Sequence, residues 1–168
     1  MPDNSPSVMI EDAKLIFRNF TGLAKEFNSE GDRNFSVVLE PAVAEKLKVD
    51  GWRVKQLRSR EEDEPGDYHL KVKVNYKTGR PPRCVMIAPS SGTRTELGSE
   101  EISLFDAADI LKADLILNGY WSEMAGGGYT AYLKTLFVTI REDELEIKYN
   151  EKTGRHEYNI QSSGEEDE

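Results

Sequence analysis

The sequence predicts a mainly-β (α+β) fold, a small β-barrel or a β-rich α+β domain, with one or two short helices and protruding hairpins. Three observations carry this. Apolar and polar residues alternate with a period of two in several segments, a helical spacing occurs in one short stretch, and turn signals separate the segments. At 168 residues the chain suffices for one compact core with short appendages.

AKLIFRNF (13–20) alternates as a strand, with Ala13, Leu15 and Phe17 on one side and Lys14, Ile16, Arg18 and Phe20 on the other. The SEGD turn leads into RNFSVVLE (33–40), whose Phe35, Val37 and Leu39 share a face, so the two strands predict a hairpin. PAVAEKLKVDG (41–51) opens with Pro41, spaces Val43 and Leu47 four apart and ends at Asp50-Gly51, as a short helix does. WRVKQL (52–57) returns as a strand.

YHLKVKVNYK (68–77) has the cleanest alternation. Leu70, Val72, Val74 and Tyr76 occupy one face, and His69, Lys71, Lys73, Asn75 and Lys77 the other, as in a sheet with one wet side. PPRCVMIAP (81–89) reads as a strand entered through prolines, SSGTRTELGSEE as loop, and EISLFDAADILK as a stretch holding a short helix. Residues 113–140 read as two strands reversed at Gly126-Gly127-Gly128, with aromatics near the turn. The count is six to eight strands. LEIKYNEKTGRHEYNI (145–160) reads as a peripheral hairpin or an extension. QSSGEEDE has nothing apolar to bury and reads as a disordered acidic tail.

Cys84 is the single cysteine, so no intrachain disulfide or thiolate cluster can form, as suits a reducing cytoplasm. The two histidines, His69 and His156, belong to no metal-spaced motif, no phosphate-loop motif occurs, and AGGG (125–128) lies between strands. No apolar run is long enough to span a bilayer and the first residues lack a signal-peptide pattern. These observations predict a cytoplasmic protein without enzymatic activity, cofactor, metal or membrane. A carboxylate-based metal enzyme would have to draw on Asp106, Asp109 and Asp114.

The net charge of −9 is unevenly spread. Residues 141–168 hold ten carboxylates against four bases, and EEDEPGD (61–67) holds five more in a loop-like stretch. Nine bases lie between Arg53 and Arg83. A basic groove for phosphates beside exposed aromatic faces is the equipment of a single-strand binder. Lys71, Lys73, Lys77 and Arg80 are candidates for the groove, with Lys14, Arg18, Arg33 and Lys134 beside them, and Arg53 and Lys55 if the strands pair as expected. Tyr120, Trp121, Tyr129 and Tyr132 are candidates for stacking, whereas Trp52 and Tyr76 are in phase with the core. A lysine row also serves plain solubility, and strand aromatics often fill cores. The competing function is an acidic protein-interaction module or DNA mimic directed at a host protein, motivated by the two acidic blocks.

LIFRNFTG (15–22), GDRNFSVVLE (31–40), DGWRVK (50–55), ADLILNGYW with AYLKTLFVTI, and the final EEDE together resemble the single-stranded DNA-binding proteins of bacteriophages. The resemblance is one of element order over residues 13–140 plus the tail. It implies an OB-fold-like barrel over 9–141, flanked by a disordered 1–8, the 142–160 extension and the tail at 161–168. It further implies coating of single strands during phage DNA replication or recombination in the host cytoplasm, with no cofactor. The tail residues Glu165, Glu166, Asp167 and Glu168 would compete with DNA for the basic groove and recruit replication or recombination proteins. Tails of this group commonly finish on an apolar residue, and this one finishes on Glu168.

Overall fold

A computed structural model describes residues 5–58 and 66–142. Nine strands form one sheet: β1 (Ser7–Ile10), β2 (Lys14–Asn19), β3 (Arg33–Leu39), β4 (Val54–Gln56), β5 (Tyr68–Val74), β6 (Arg83–Ala88), β7 (Thr93–Leu97), β8 (Ile110–Ser122) and β9 (Gly128–Ile140). The helix α1 (Pro41–Val49) follows β3, and single 3-10 turns occupy Ile102–Asp106 and Met124–Gly126.

The main path runs β1-β8-β9-β5-β3-β2. Its two ends are consecutive in the chain. The segment 7–19 bends at Asp12, where φ is 53°, so that its first half pairs with β8 and its second half with β3. The Ala13 amide donates to the Ala113 carbonyl at 2.7 Å, tying β2 back to β8 and curling the sheet into a barrel. Inside lie Phe20, Phe35, Val37, Leu70, Val72, Leu115, Leu117, Leu136 and Val138, all fully buried, with Trp52 closing one end. The alternation that predicted the strands is the alternation that fills this core.

β9 is the strand shared by most neighbours. Along its length it pairs antiparallel with β8; on its other edge Ala131 and Tyr132 pair parallel with β5, and Thr135–Thr139 pair parallel with β6. The β5 and β6 segments therefore follow one edge of β9 in succession, and the chain leaves the sheet between them, at 75–82.

Several expectations need correction. The segment 93–97, read as loop, is the strand β7, paired with β6 through a turn at Gly92, where φ is 73°. Its sequence TRTEL is almost wholly polar because the strand is mostly exposed, so periodicity gave no signal. Ser7 and Val8, placed in a disordered N-terminus, belong to β1 and pair with Asn118 and Leu117 of β8. With these two strands the count is nine among the described residues. Phe17 and Phe20 exchange faces. The β2–β3 register passes from Ile16↔Ser36 to Asn19↔Asn34, a bulge that shifts the phase by one residue, exposing Phe17 and burying Phe20 against Phe35 and Phe105. In α1 the buried residues are Ala44 and Leu47, with Val43 at the surface. The hairpin expected at 145–160, the tail at 161–168 and most of the 61–67 loop lie outside the described residues.

Gly119 of β8 faces the Trp52 indole so closely that an added Cβ would stand 2.8 Å from Cη2, whereas a Cβ on Gly79 would meet nothing within 4 Å. Gly119→Ala should therefore lower the unfolding free energy by about 1–3 kcal/mol through overpacking. Gly79→Ala should stay within about 0.5 kcal/mol of the parent in the same urea titration.

Candidate nucleic-acid interface

The outer face of β2, β3, β5, β9 and β8 carries the polar half of each alternation. Cross-strand register sets its rows. Asn34, Lys73, Tyr132 and Asn118 lie side by side on β3, β5, β9 and β8. The next rows hold Ser36 beside Lys71, and Val38 beside His69.

Beyond Tyr132 the surface opens into a groove of about 870 Å3, walled on one side by the 75–83 segment and on the other by β8 and β9. Two features of β9 make it. Its parallel partner changes from β5 to β6 between Tyr132 and Thr135, and its pairing with β8 shifts between Ile116↔Thr135 and Leu117↔Leu133, leaving Lys134 as the extra, exposed residue. The lining includes Arg80, Arg83 and Lys134 and no carboxylate. Tyr120 and Tyr132 stand in the groove, edge to face with centroids 5.3 Å apart, and Tyr120 is 45% exposed. Such a channel offers cations to phosphates and ring faces to bases.

Of the residues singled out in the sequence, Arg80, Tyr120, Tyr132 and Lys134 line this groove, with Lys73 beside Tyr132 on β5, Lys71 farther along that strand and Lys77 exposed in the overhanging segment. Trp121 and Tyr129 are placed elsewhere. They alternate to the other side of the β8–β9 hairpin and pack with Trp52 at the barrel end, Trp121 on Tyr129 at 5.1 Å and Tyr129 on Trp52 at 5.8 Å, and the Trp121 Nε1 donates to Glu123. Arg18 donates from Nη1 to the carbonyls of Phe105 and Ala108. Arg33 donates to the Ser99 carbonyl and lies over the Tyr76 ring, and Arg53 donates to the carbonyls of Ser122 and Met124. These three guanidiniums thus have structural partners of their own. Lys14 and Lys55 flank Val38 and His69 in the row farthest from the groove.

Arg83 and Asn118 line the groove without having been singled out. Arg83 stood in the basic run; it borders the groove beside Thr135 while its Nε pairs with Glu96 at 3.7 Å and its guanidinium lies over the Phe137 ring. The three aspartates are separately occupied: Asp106 accepts from the Phe20 and Thr21 amides and the Thr21 hydroxyl, Asp109 pairs with Arg141, and Asp114 accepts from the Asp12 amide. Among the described residues no three potential ligands converge on a metal position, and no helix is long and apolar enough to cross a membrane. Burial lifts the Cys84 thiol to about 11, and its sulfur lies 3.8 Å from the Tyr76 hydroxyl beneath the sheet.

A curled sheet whose groove sets Arg80, Lys134, the exposed Tyr120 and the half-buried Tyr132 together without a lining carboxylate has the equipment of a single-strand-binding barrel. The chain belongs to the phage ssDNA-binding domain family, whose model matches residues 3–167. Its fold is similar to that of the single-stranded DNA-binding protein from bacteriophage Enc34 in complex with ssDNA, at a TM-score of 0.53 and 10% identity over 82% of this chain and 88% of that one. A second structure of the Enc34 protein gives 0.54 at 9% identity, covering 82% of each chain. Among curated proteins nothing matches the sequence.

His69 generates a pH prediction. Burial first, and the Lys55 ammonium second, hold its imidazole below the ordinary value of 6.5. As pH falls through that value the unfolded chain takes up a proton before the folded one does, so stability declines until the folded imidazole also titrates. The urea midpoint should be lower at pH 5.5 than at 7.5, and the difference should shrink in His69→Gln.

Proposed function

We propose that the protein is a non-enzymatic, sequence-tolerant single-stranded DNA-binding protein acting in phage DNA replication or recombination, in the cytoplasm of the host. The observation that carries the reading is the groove at the β9 partner change, where Arg80, Arg83 and Lys134 surround Tyr120 and Tyr132 with no carboxylate among them. The backbone runs past these cations and past Lys73 and Lys71, while bases stack on the tyrosines. Family membership and the likeness of fold to the Enc34 protein support this reading. A DNA mimic would instead set carboxylates where this face sets lysines.

Glu165, Glu166, Asp167 and Glu168 are assigned the role of an internal competitor. A polyanion tethered to the domain opposes the binding of another polyanion and, once displaced, is free for replication or recombination partners.

The test is fluorescence anisotropy of labelled oligothymidine and of a matched duplex at two salt concentrations without metal. Tight, salt-sensitive binding of the single strand alone is expected, and absence of binding by both the full chain and a form lacking 162–168 would overturn the reading. Tyr132→Ala should weaken binding by about 1–3 kcal/mol. Lys73→Glu combined with Lys134→Glu should reduce the slope of log K against log salt by about 1.4, at about 0.7 per lost phosphate contact on a single strand.

A further inference from the structure

Phe17 is held on the wet side of the sheet at a conformational cost. It occupies the β2 bulge with φ of 51°, a left-handed backbone that phenylalanine rarely adopts, and is 62% exposed. The bulge that imposes this backbone keeps the Phe17 ring out of the core and buries Phe20 in its place. The ring reaches across β3 to His69 on β5, where the two form a T-shaped pair with centroids 5.9 Å apart and planes at 80°.

His69 lies in a cross-strand row that reads Lys14, Val38, His69, Lys55 on β2, β3, β5 and β4. The next row is Ile16, Ser36, Lys71, and the one after it holds Lys73 and Tyr132. Four lysines and no carboxylate occupy these rows, with Val38 and His69 between Lys14 and Lys55, and Ile16 and Ser36 beside Lys71. The His69 Nδ1 is buried with no hydrogen-bond partner, the one such side-chain atom among the described residues. Burial and the Lys55 ammonium both disfavour the charged form of the half-buried His69 ring beside Phe17.

We propose that Phe17 and His69 form a second base-stacking station for single-stranded nucleic acid, joined to the tyrosine groove by Lys71 and Lys73. This rests on the reading of the groove given above and extends it to a path along the outer face. From His69 to Lys73 the strand advances four residues, about 13 Å, so the strand of nucleic acid crosses both lysines between one aromatic pair and the next. Positive charge at both ends of the His69 row and continuity with the groove identify the occupant as a polyanion with planar bases.

The proposal is tested with oligothymidines of about 4 and about 16 nucleotides, the range of site sizes for a barrel of this kind, by anisotropy at fixed salt. Phe17→Ala should weaken binding of the longer oligonucleotide roughly 5- to 150-fold and leave the shorter one, held by the groove, nearly unchanged. Tyr132→Ala should weaken both, and Phe17→Tyr should restore the long-site affinity. Phe17→Gly relieves the left-handed backbone, so it should keep or raise the thermal midpoint while binding as weakly as Phe17→Ala. Unchanged long-oligonucleotide affinity in Phe17→Ala and Phe17→Gly, with Tyr132→Ala still impaired, would overturn the second station and leave the groove standing. Failure of the parent protein to bind either oligonucleotide would remove the groove reading and this one together.

Discussion

The arrangement depends on β9 having to satisfy two successive partners along one edge. Backbone groups left unpaired inside a sheet are costly, so a thirteen-residue strand in the middle of the path needs a neighbour for most of its length. β5 supplies it near Tyr132 and β6 from Thr135 onward, in the same direction. A chain that leaves the edge at Val74 and rejoins it at Arg83 must lift out of the sheet, and the displaced residues 75–82 become the groove wall. On the opposite edge the register with β8 slips at the same place, which frees Lys134. Groove, cation and tyrosines therefore sit together because pairing changes there on both edges of one strand.

Alternation along β8 and β9 then divides the aromatic residues between two tasks. Tyr120 and Tyr132 fall on the outer face, while Trp121 and Tyr129, one residue out of phase with them, close the barrel end over Trp52 and Gly51. The cations are divided in a similar way. Arg18, Arg33 and Arg53 donate to backbone carbonyls and tie distant segments together, whereas Lys71, Lys77 and Lys134 reach solvent. An acidic protein thereby keeps a cationic face, because most of its excess carboxylates are in the 61–67 block and beyond Arg141.

Much of this was legible in the sequence where one face of a strand is buried. The β5 alternation, the α1 boundaries at Pro41 and Gly51, and the β8–β9 reversal at the glycines all follow from local chemistry. β7 was not legible, since an exposed strand such as TRTEL has no apolar period to show. Strict alternation puts Phe17 on the face of Leu15 and Phe20 on the opposite one, and the bulge that reverses them carries no reliable local signature. The candidate cations and tyrosines were visible as residue types. Their separation into groove residues and structural ones was not, because register between strands distant in sequence decides it.

The most direct measurement is an amide-resolved NMR titration of the 15N-labelled protein with oligothymidine. The account predicts that the largest shifts fall on Lys73, Asn118, Tyr120, Tyr132 and Lys134 and on the 75–83 segment, and that the barrel end around Trp52 and Trp121 stays quiet. Shifts concentrated at Trp121, Tyr129 and Trp52, with the groove unperturbed, would contradict it.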